Sequence, residues 1–315
     1  MRCLLCLLAA LVGLLAPPAA AERFTFAVLG DMPYDGPEAE AAFANLTAAV
    51  NAWRPAFTVH VGDVKRGQAR CDDAAYVRMR RLFDAFDQPL IYTPGDNDWA
   101  DCHRKRAGGY DPVERLARLR EILFPDAGSL GRDRLALDRQ SSIPALSKFV
   151  ENARWTSGGL VFATLHVIGG RDGLGRSEAG DAEQRERRAA DLAWLADTFA
   201  QAARSAAPGV VLFMQADLGW DLQSATAETL PYRDLAEALA DAIALYGRPV
   251  LLAHGDTHRF RIDMPLRQGD ATVMNFTRLG VFGDPDMHGV LVHVDTDRPG
   301  LFAFEPLIVQ ANLTQ

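Results

Sequence analysis

The sequence predicts an α/β protein. Apolar, β-branched runs alternate with helix-period stretches as far as His258, and four of those runs end in Gly-Asp. Beyond His258, four short apolar runs follow one another with no helix between them. The proportions are globular: 315 residues, 49% hydrophobic and 23% charged, which excludes collagenous and disordered classes. With 41 acidic against 33 basic residues the formal charge is −8. A nucleic-acid backbone or an anionic membrane is therefore not expected as a stable partner.

Taken in order, residues 1–21 read as a secretory leader: Arg2, an apolar run from Cys3 to Ala16, and the small-residue pattern Ala19-Ala20-Ala21. The run is too short to span a bilayer. An exported protein, periplasmic or secreted, is expected, with residues 22–315 as one domain and no transmembrane segment once the leader is removed. Cleavage leaves only Cys71 and Cys102, which in an oxidising compartment read as one disulfide, two unrelated buried thiols being the alternative.

Strands are predicted at Phe24–Leu29, Phe57–Val61, Leu90–Thr93, Leu160–Val167, Val210–Met214 and Val250–Ala253. Helices are predicted between them at Pro37–Trp53, Asp73–Phe86, Pro112–Leu123, Glu178–Arg204 and Pro231–Tyr246. The closing strands, Arg261–Met264, Thr272–Phe276, Val290–Val294 and Leu301–Phe304, are most simply antiparallel. Pro125–Glu151 is the least regular stretch and reads as an insertion that covers something. Arg185-Glu186-Arg187-Arg188 reads as a solvated helix face. His60, His166 and His293 read as core histidines, and Trp99, Trp155 and Trp220 as core packing, a rim around the cleft being the alternative.

Gly-Asp occurs seven times, but position separates the copies. Leu29-Gly30-Asp31, Val61-Gly62-Asp63, Pro94-Gly95-Asp96 and His254-Gly255-Asp256 directly follow apolar runs, and Met214-Gln215-Ala216-Asp217 ends a fifth. If those strands are parallel, the aspartates gather at the sheet edge where α/β proteins bind ligands. Crowded carboxylates must be protonated, paired with basic side chains or gathered round cations, and cations are the economical answer. Strand-end turns that cap helices account for one or two of the aspartates.

In these motifs the chain resembles the calcineurin-like metallophosphoesterases. Asp31-Met32-Pro33, Gly62-Asp63, Gly95-Asp96-Asn97-Asp98, Gln215 and Gly255-Asp256-Thr257-His258 stand where that family carries its metal-binding motifs. The resemblance implies an α/β/β/α sandwich of two mixed sheets. It also implies a metal site formed by Asp31, Asp63, Asp96, Gln215, Asp256 and His258. Pro33 departs from the pattern because it has no ligating atom, Asp96 replaces Asn, and Gln215 and Asp256 replace His. More oxygen and less imidazole favours Mg²⁺, Mn²⁺ or Ca²⁺ over zinc or iron, as one or two ions.

Asn97 holds the place of the family's proton donor, yet an amide delivers no proton. His103 is the candidate replacement acid, and His254, just before its Gly-Asp turn, is a further catalytic candidate that could reach the cleft. Lys65 and Arg104 are candidates for the substrate's anion, a solvated basic loop being the alternative. The implied activity is metal-activated water attacking a phosphomonoester or phosphodiester of a phosphorylated small molecule. The alternative is a non-catalytic metal- or phosphate-ligand-binding protein on the same scaffold.

Overall fold

A computed structural model describes residues 22–220 and 226–313; the expected leader lies outside them. Among the described residues no helix is long and apolar enough to cross a membrane. In chain order the strands are β1 (Arg23–Leu29), β2 (Thr58–His60), β3 (Leu90–Tyr92), β4 (Asp138–Arg139), β5 (Ala153–Ser157), β6 (Leu160–Thr164), β7 (Val210–Met214), β8 (Val250–His254), β9 (Arg261–Asp263), β10 (Arg267–Gln268), β11 (Ala271–Thr272), β12 (Phe276–Gly280), β13 (Gly289–Asp295) and β14 (Phe302–Leu307).

One sheet has the order β14-β13-β1-β2-β3 and the other β4-β5-β6-β7-β8-β12-β9, with β10 and β11 as a separate hairpin. β1, β2 and β3 are parallel, with Val28 opposite Val59 and Val59 opposite Ile91. β6, β7, β8 and β12 are also parallel. The outer pairs of both sheets are antiparallel, so both sheets are mixed, as expected.

Alternation along each strand builds the layers. On β1, Phe26 and Val28 face the second sheet, while Ala27 and Leu29 face the helices Pro37–Trp53, Asp73–Phe83 and Pro112–Leu123. On β7, Val211 and Phe213 face the first sheet. Val210, Leu212 and Met214 face the helices Glu178–Arg204 and Arg233–Tyr246. The result is four layers, α/β/β/α. Aromatic rings lock the middle interface: Phe57 meets Trp155 edge-on at 5.4 Å and Phe26 meets Phe162 edge-on at 5.5 Å, contacts worth about 0.5–1.5 kcal/mol each beyond area burial.

The helix starts follow local chemistry. Asp72, Asp111 and Ser177 each accept a backbone N–H of the first turn. The last long helix begins at Arg233, because Pro231 sits in a preceding 3₁₀ turn, Leu230–Tyr232. The predicted strand Thr272–Phe276 is displaced to Phe276–Gly280, where the buried Arg278 interrupts the apolar pattern and is held by Asp263.

Residues 125–151 close one edge of the sandwich. Leu90 and Leu130 exchange backbone hydrogen bonds beside β3, and β4 then joins the second sheet. Arg187 and Arg188, expected on a solvated face, are buried because both reach the buried Asp172. His60 and His166 are core residues as expected. His166 Nδ1 meets Glu151, and its Nε2 accepts the Trp99 indole N–H.

Cys71 and Cys102 are bonded, with Cα atoms 5.6 Å apart. The bridge joins the loop after β2 to the loop after β3 inside a small cluster with Ala107 and Tyr110. Closing a loop of sequence separation 31 contributes about 3.5–4 kcal/mol on the chain-entropy scale. The Cys71→Ser/Cys102→Ser variant is therefore expected to melt several degrees below wild type by calorimetry. Coincident melting curves would show that the two loops are held together without it.

Candidate functional site

The parallel strands of both sheets end at one edge of the sandwich. Asp31, Asp63 and Asp96 follow β1, β2 and β3, while Gln215 and Asp256 follow β7 and β8. Four residues named from the sequence have left-handed backbones: Asp31 (φ 53°), Asp63 (φ 58°), Asp256 (φ 68°) and His258 (φ 55°). Such conformations are uncommon outside glycine and gather at functional sites. The neighbouring glycines make room for these acids. A Cβ on Gly95 would lie 2.0 Å from Asp63 Oδ1, and one on Gly255 would lie 2.5 Å from Asp31 Oδ2.

Asp98 fastens this edge. Its buried carboxylate accepts the backbone N–H groups of Asp63 (2.9 Å), Val64 (2.8 Å) and Gly95 (2.9 Å), and the Tyr92 hydroxyl at 2.7 Å. The Asp63 carboxylate is turned by two further donors: the Asn97 N–H at 3.0 Å on Oδ1 and the Gln215 amide at 3.2 Å on Oδ2. Asp31 Oδ1 accepts the Asp256 N–H at 3.0 Å. Its Oδ2 is buried with no hydrogen-bond partner.

Burial pushes the carboxyls of Asp31 and Asp63 well above their ordinary range, and repulsion from neighbouring aspartates adds to it. Asp96 is pushed up to about 7 by burial, then by Asp101 and Asp256, with Arg176 opposing. A buried, unpartnered oxygen among mutually repelling carboxylates fits a hard divalent cation. Among the described residues no three His, Cys, Asp or Glu side chains already close round one point. Hydrogen-bond donors stand between them instead.

Gln215 is one such donor. Its Oε1 accepts the Gly169 N–H, so the amide nitrogen faces Asp63 and, at 3.4 Å, Asp256 Oδ1. The oxygen expected to ligate metal is turned away. Tyr34, which sequence reasoning missed, is another. His258 Nδ1 donates to the Asp284 carbonyl, so Nε2 accepts the Tyr34 hydroxyl at 2.8 Å, and Asn97 Nδ2 donates to that hydroxyl at 3.3 Å. Burial, then the charges of Asp63 and Asp31, raise the Tyr34 phenol far above its usual pKa and keep it a donor. The only signal for Tyr34 was its place beside Pro33, three residues after Asp31.

The flanking cations divide. Lys65, expected to meet substrate, is 1% exposed, and its ammonium bonds the carbonyls of Arg66 and Ala69. It fastens its own loop. Arg104 is half-exposed, pairs with Asp101 at 2.7 Å, and lies with Asn97 around Gly67. Arg176, unnoticed in the sequence, reaches Asp101 at 2.9 Å and Asp96 at 3.5 Å. His103 is exposed, with Nδ1 on its own turn's Ala100 carbonyl. His254 is buried beneath the turn, with Nδ1 on the Gly255 carbonyl and Nε2 unpartnered; burial lowers its pKa. It is not presented to solvent as an acid.

Gly169 is itself held by the segment that follows. Asp172 accepts the Ile168 N–H, and it is gripped by Arg187 at 2.7 Å and Arg188 at 2.6 Å. Burial alone would raise this carboxyl, but the two guanidiniums overcome it and hold it at about 2 against an ordinary 3.8. A depressed folded-state pKa contributes stability that is fully present above pH ~4 and lost as pH falls through ~2, about 2 kcal/mol in all. Asp172→Asn is expected to flatten the fall in stability between those pH values in urea titrations. A curve parallel to wild type over that window would contradict the assignment.

No protein-family model matches the sequence, and no curated protein sequence does either. Solved structures do match. A dimetal phosphatase from Danio rerio aligns with TM-score 0.55 at 9% identity, over 91% of this chain and 99% of that one. PhoD aligns with TM-score 0.56 at 12% identity, over 92% and 69%. A purple acid phosphatase from yellow lupin seeds aligns with TM-score 0.50 at 10% identity, over 93% of this chain and 55% of that one. At such identities the likeness concerns the fold, and the chain has the calcineurin-like metallophosphoesterase fold.

Proposed function

We propose that the protein is an exported, metal-dependent hydrolase of phosphoesters. The observation that carries this reading is the pair of buried aspartates in left-handed backbone, Asp31 and Asp63, at one sheet edge, with Asp31 Oδ2 unpartnered. Asp31 and Asp63 would hold a hard divalent cation, with Asp96 and Asp256 on the far side of Asp63 and His258 engaged by Tyr34. When bound, it would supply Lewis acidity toward a phosphoryl oxygen and a nucleophilic water at neutral pH. The chain supplies orientation. Asp98 and Asn97 aim Asp63, while Arg104, half-exposed beside Asn97, offers guanidinium donors to the substrate's anion.

A second reading, a binder of metal or phosphate ligands without turnover, is favoured by Pro33 and by the inward amide nitrogen of Gln215. Turnover separates the two. Hydrolysis of an aryl phosphomonoester or phosphodiester with Mg²⁺ or Mn²⁺ is expected, and Asp63→Ala should lower it by at least about 100-fold with the fold intact. Metal bound without turnover of either ester class would establish the binder.

Asn97 donates a hydrogen bond but no proton, so aryl esters are expected to outpace alkyl esters steeply, because a phenolate needs little protonation. His103 is proposed as the proton source for poor leaving groups, since Nδ1 is engaged and Nε2 is left for the task. His103→Ala should then slow alkyl esters at least about tenfold more than aryl esters. Equal losses on both would remove His103 from that role.

A further inference from the structure

From the donors that stand among the carboxylates, we infer that this centre takes one divalent cation, on the Asp31 and Asp63 side, and that Gln215 excludes a second. The inference rests on the metal-binding part of the function proposed above. A second ion sharing Asp63 would need lone pairs facing the gap between Asp63 and Asp256. That gap is faced by the Gln215 amide nitrogen, 3.2 Å from Asp63 Oδ2 and 3.4 Å from Asp256 Oδ1. An amide nitrogen has donors and no lone pair to offer.

Turning the amide over would not help. The oxygen would then face two carboxylates, and the NH₂ group would face the Gly169 N–H, three repulsive contacts in place of three hydrogen bonds. Gly169 cannot readily yield, because its neighbour Ile168 is bonded to Asp172, and Asp172 is held by two buried arginines. The remaining carboxylate on that side, Asp96, has Arg176 against its Oδ2. Partial and full positive charges of the protein therefore occupy the surroundings of a second ion. The Asp31 side differs. Asp31 is fully buried, and its Oδ2 has no donor at all, so that oxygen lacks a partner that a cation would provide.

Gln215→Glu tests this with almost no change of shape. One carboxylate oxygen keeps the Gly169 N–H, and the other replaces the amide nitrogen between Asp63 and Asp256, where it offers a ligand instead of donors. Gln215→His supplies an imidazole at the same position as an independent route. Wild type and both variants are dialysed to equilibrium against excess Mn²⁺, and bound manganese per chain is counted by elemental analysis, with circular dichroism confirming the fold. The expected counts are one for wild type and two for either variant. Two ions in wild type would overturn the inference and leave the hydrolase reading standing. None in wild type would overturn both. One ion in wild type and also in both folded variants would show that Gln215 does not set the number. The wild-type count needs no substitution, so it tests the single-ion claim even if a variant fails to fold.

Discussion

The buried carboxylate of Asp98 is the interaction on which the site's geometry depends. Four donors from β3 and from the loops after β2 and β3 converge on it, so one side chain fixes where both loops leave their sheet. Asp63 can hold its left-handed backbone because its own N–H is caught there, and Gly95 can crowd Asp63 because its N–H is caught by the same group. A buried acceptor with four donors is stable, whereas the donors left without it would each carry a desolvation penalty of about 1–3 kcal/mol. The disulfide joins the same two loops farther out, and Tyr76, whose hydroxyl bonds the Asp98 carbonyl, packs between them. The left-handed backbone at Asp31 and Asp63 is thus sustained by covalent and hydrogen-bonded supports outside the acid cluster itself.

The second sheet contributes by a different device. Where the first sheet uses a carboxylate to gather backbone donors, arginines on the second side gather carboxylates: Arg187 and Arg188 hold Asp172, and Arg176 reaches across to Asp101 and Asp96, while Arg120 from the first side's helix holds Glu151 behind His166 and Trp99. These pairs are buried or nearly so. Removing one partner would strand a charge, at a cost of about 3–5 kcal/mol. The result is a rigid frame round a group of acids that repel one another. That combination suits a site whose ligand is a cation, because the frame resists the separation that repulsion would otherwise drive.

Much of this was legible in the sequence where the chemistry is local. The Gly-Asp pairs after apolar runs located the edge, since strand period, turn preference and parallel pairing together leave their side chains no other place. What escaped depends on contacts between distant segments. Asp98 reads as one more acid in Gly-Asp-Asn-Asp-Trp, because its donors come from residues up to 35 positions away. Arg187 and Arg188 read as a charged surface, because Asp172 is brought to them only by the fold. Gln215 stands at the end of its strand, with its amide nitrogen toward Asp63 and its oxygen on the Gly169 N–H. Oxygen or nitrogen toward the centre is decided by the Gly169 N–H, which belongs to another strand end. Lys65 shows the same limit, since composition cannot tell a lysine aimed at solvent from one folded onto its own loop.

The departures from the family's pattern make physical sense as a connected set. Pro33 offers no ligating atom beside Asp31, and the next residue, Tyr34, places its hydroxyl on His258, so the imidazole lone pair is satisfied within the protein. Asn97 then donates to that hydroxyl while its backbone N–H holds Asp63, which ties the altered proton-donor position to the altered imidazole. On the opposite side Gln215 links Asp63 to Asp256 through its amide nitrogen. At Gln215 an amide donor faces the acids, and at His258 the acceptor is occupied by the Tyr34 hydroxyl, whereas Asp96 and Asp256 add acceptors that Arg176 and Gln215 meet. Here Gln215 and Asn97 bond to the acids and the hydroxyl beside them, and the buried Asp31 Oδ2 is left without a partner. Asn97, Tyr34 and His258 thus form one chain of hydrogen bonds, and Gln215 closes the other side of Asp63.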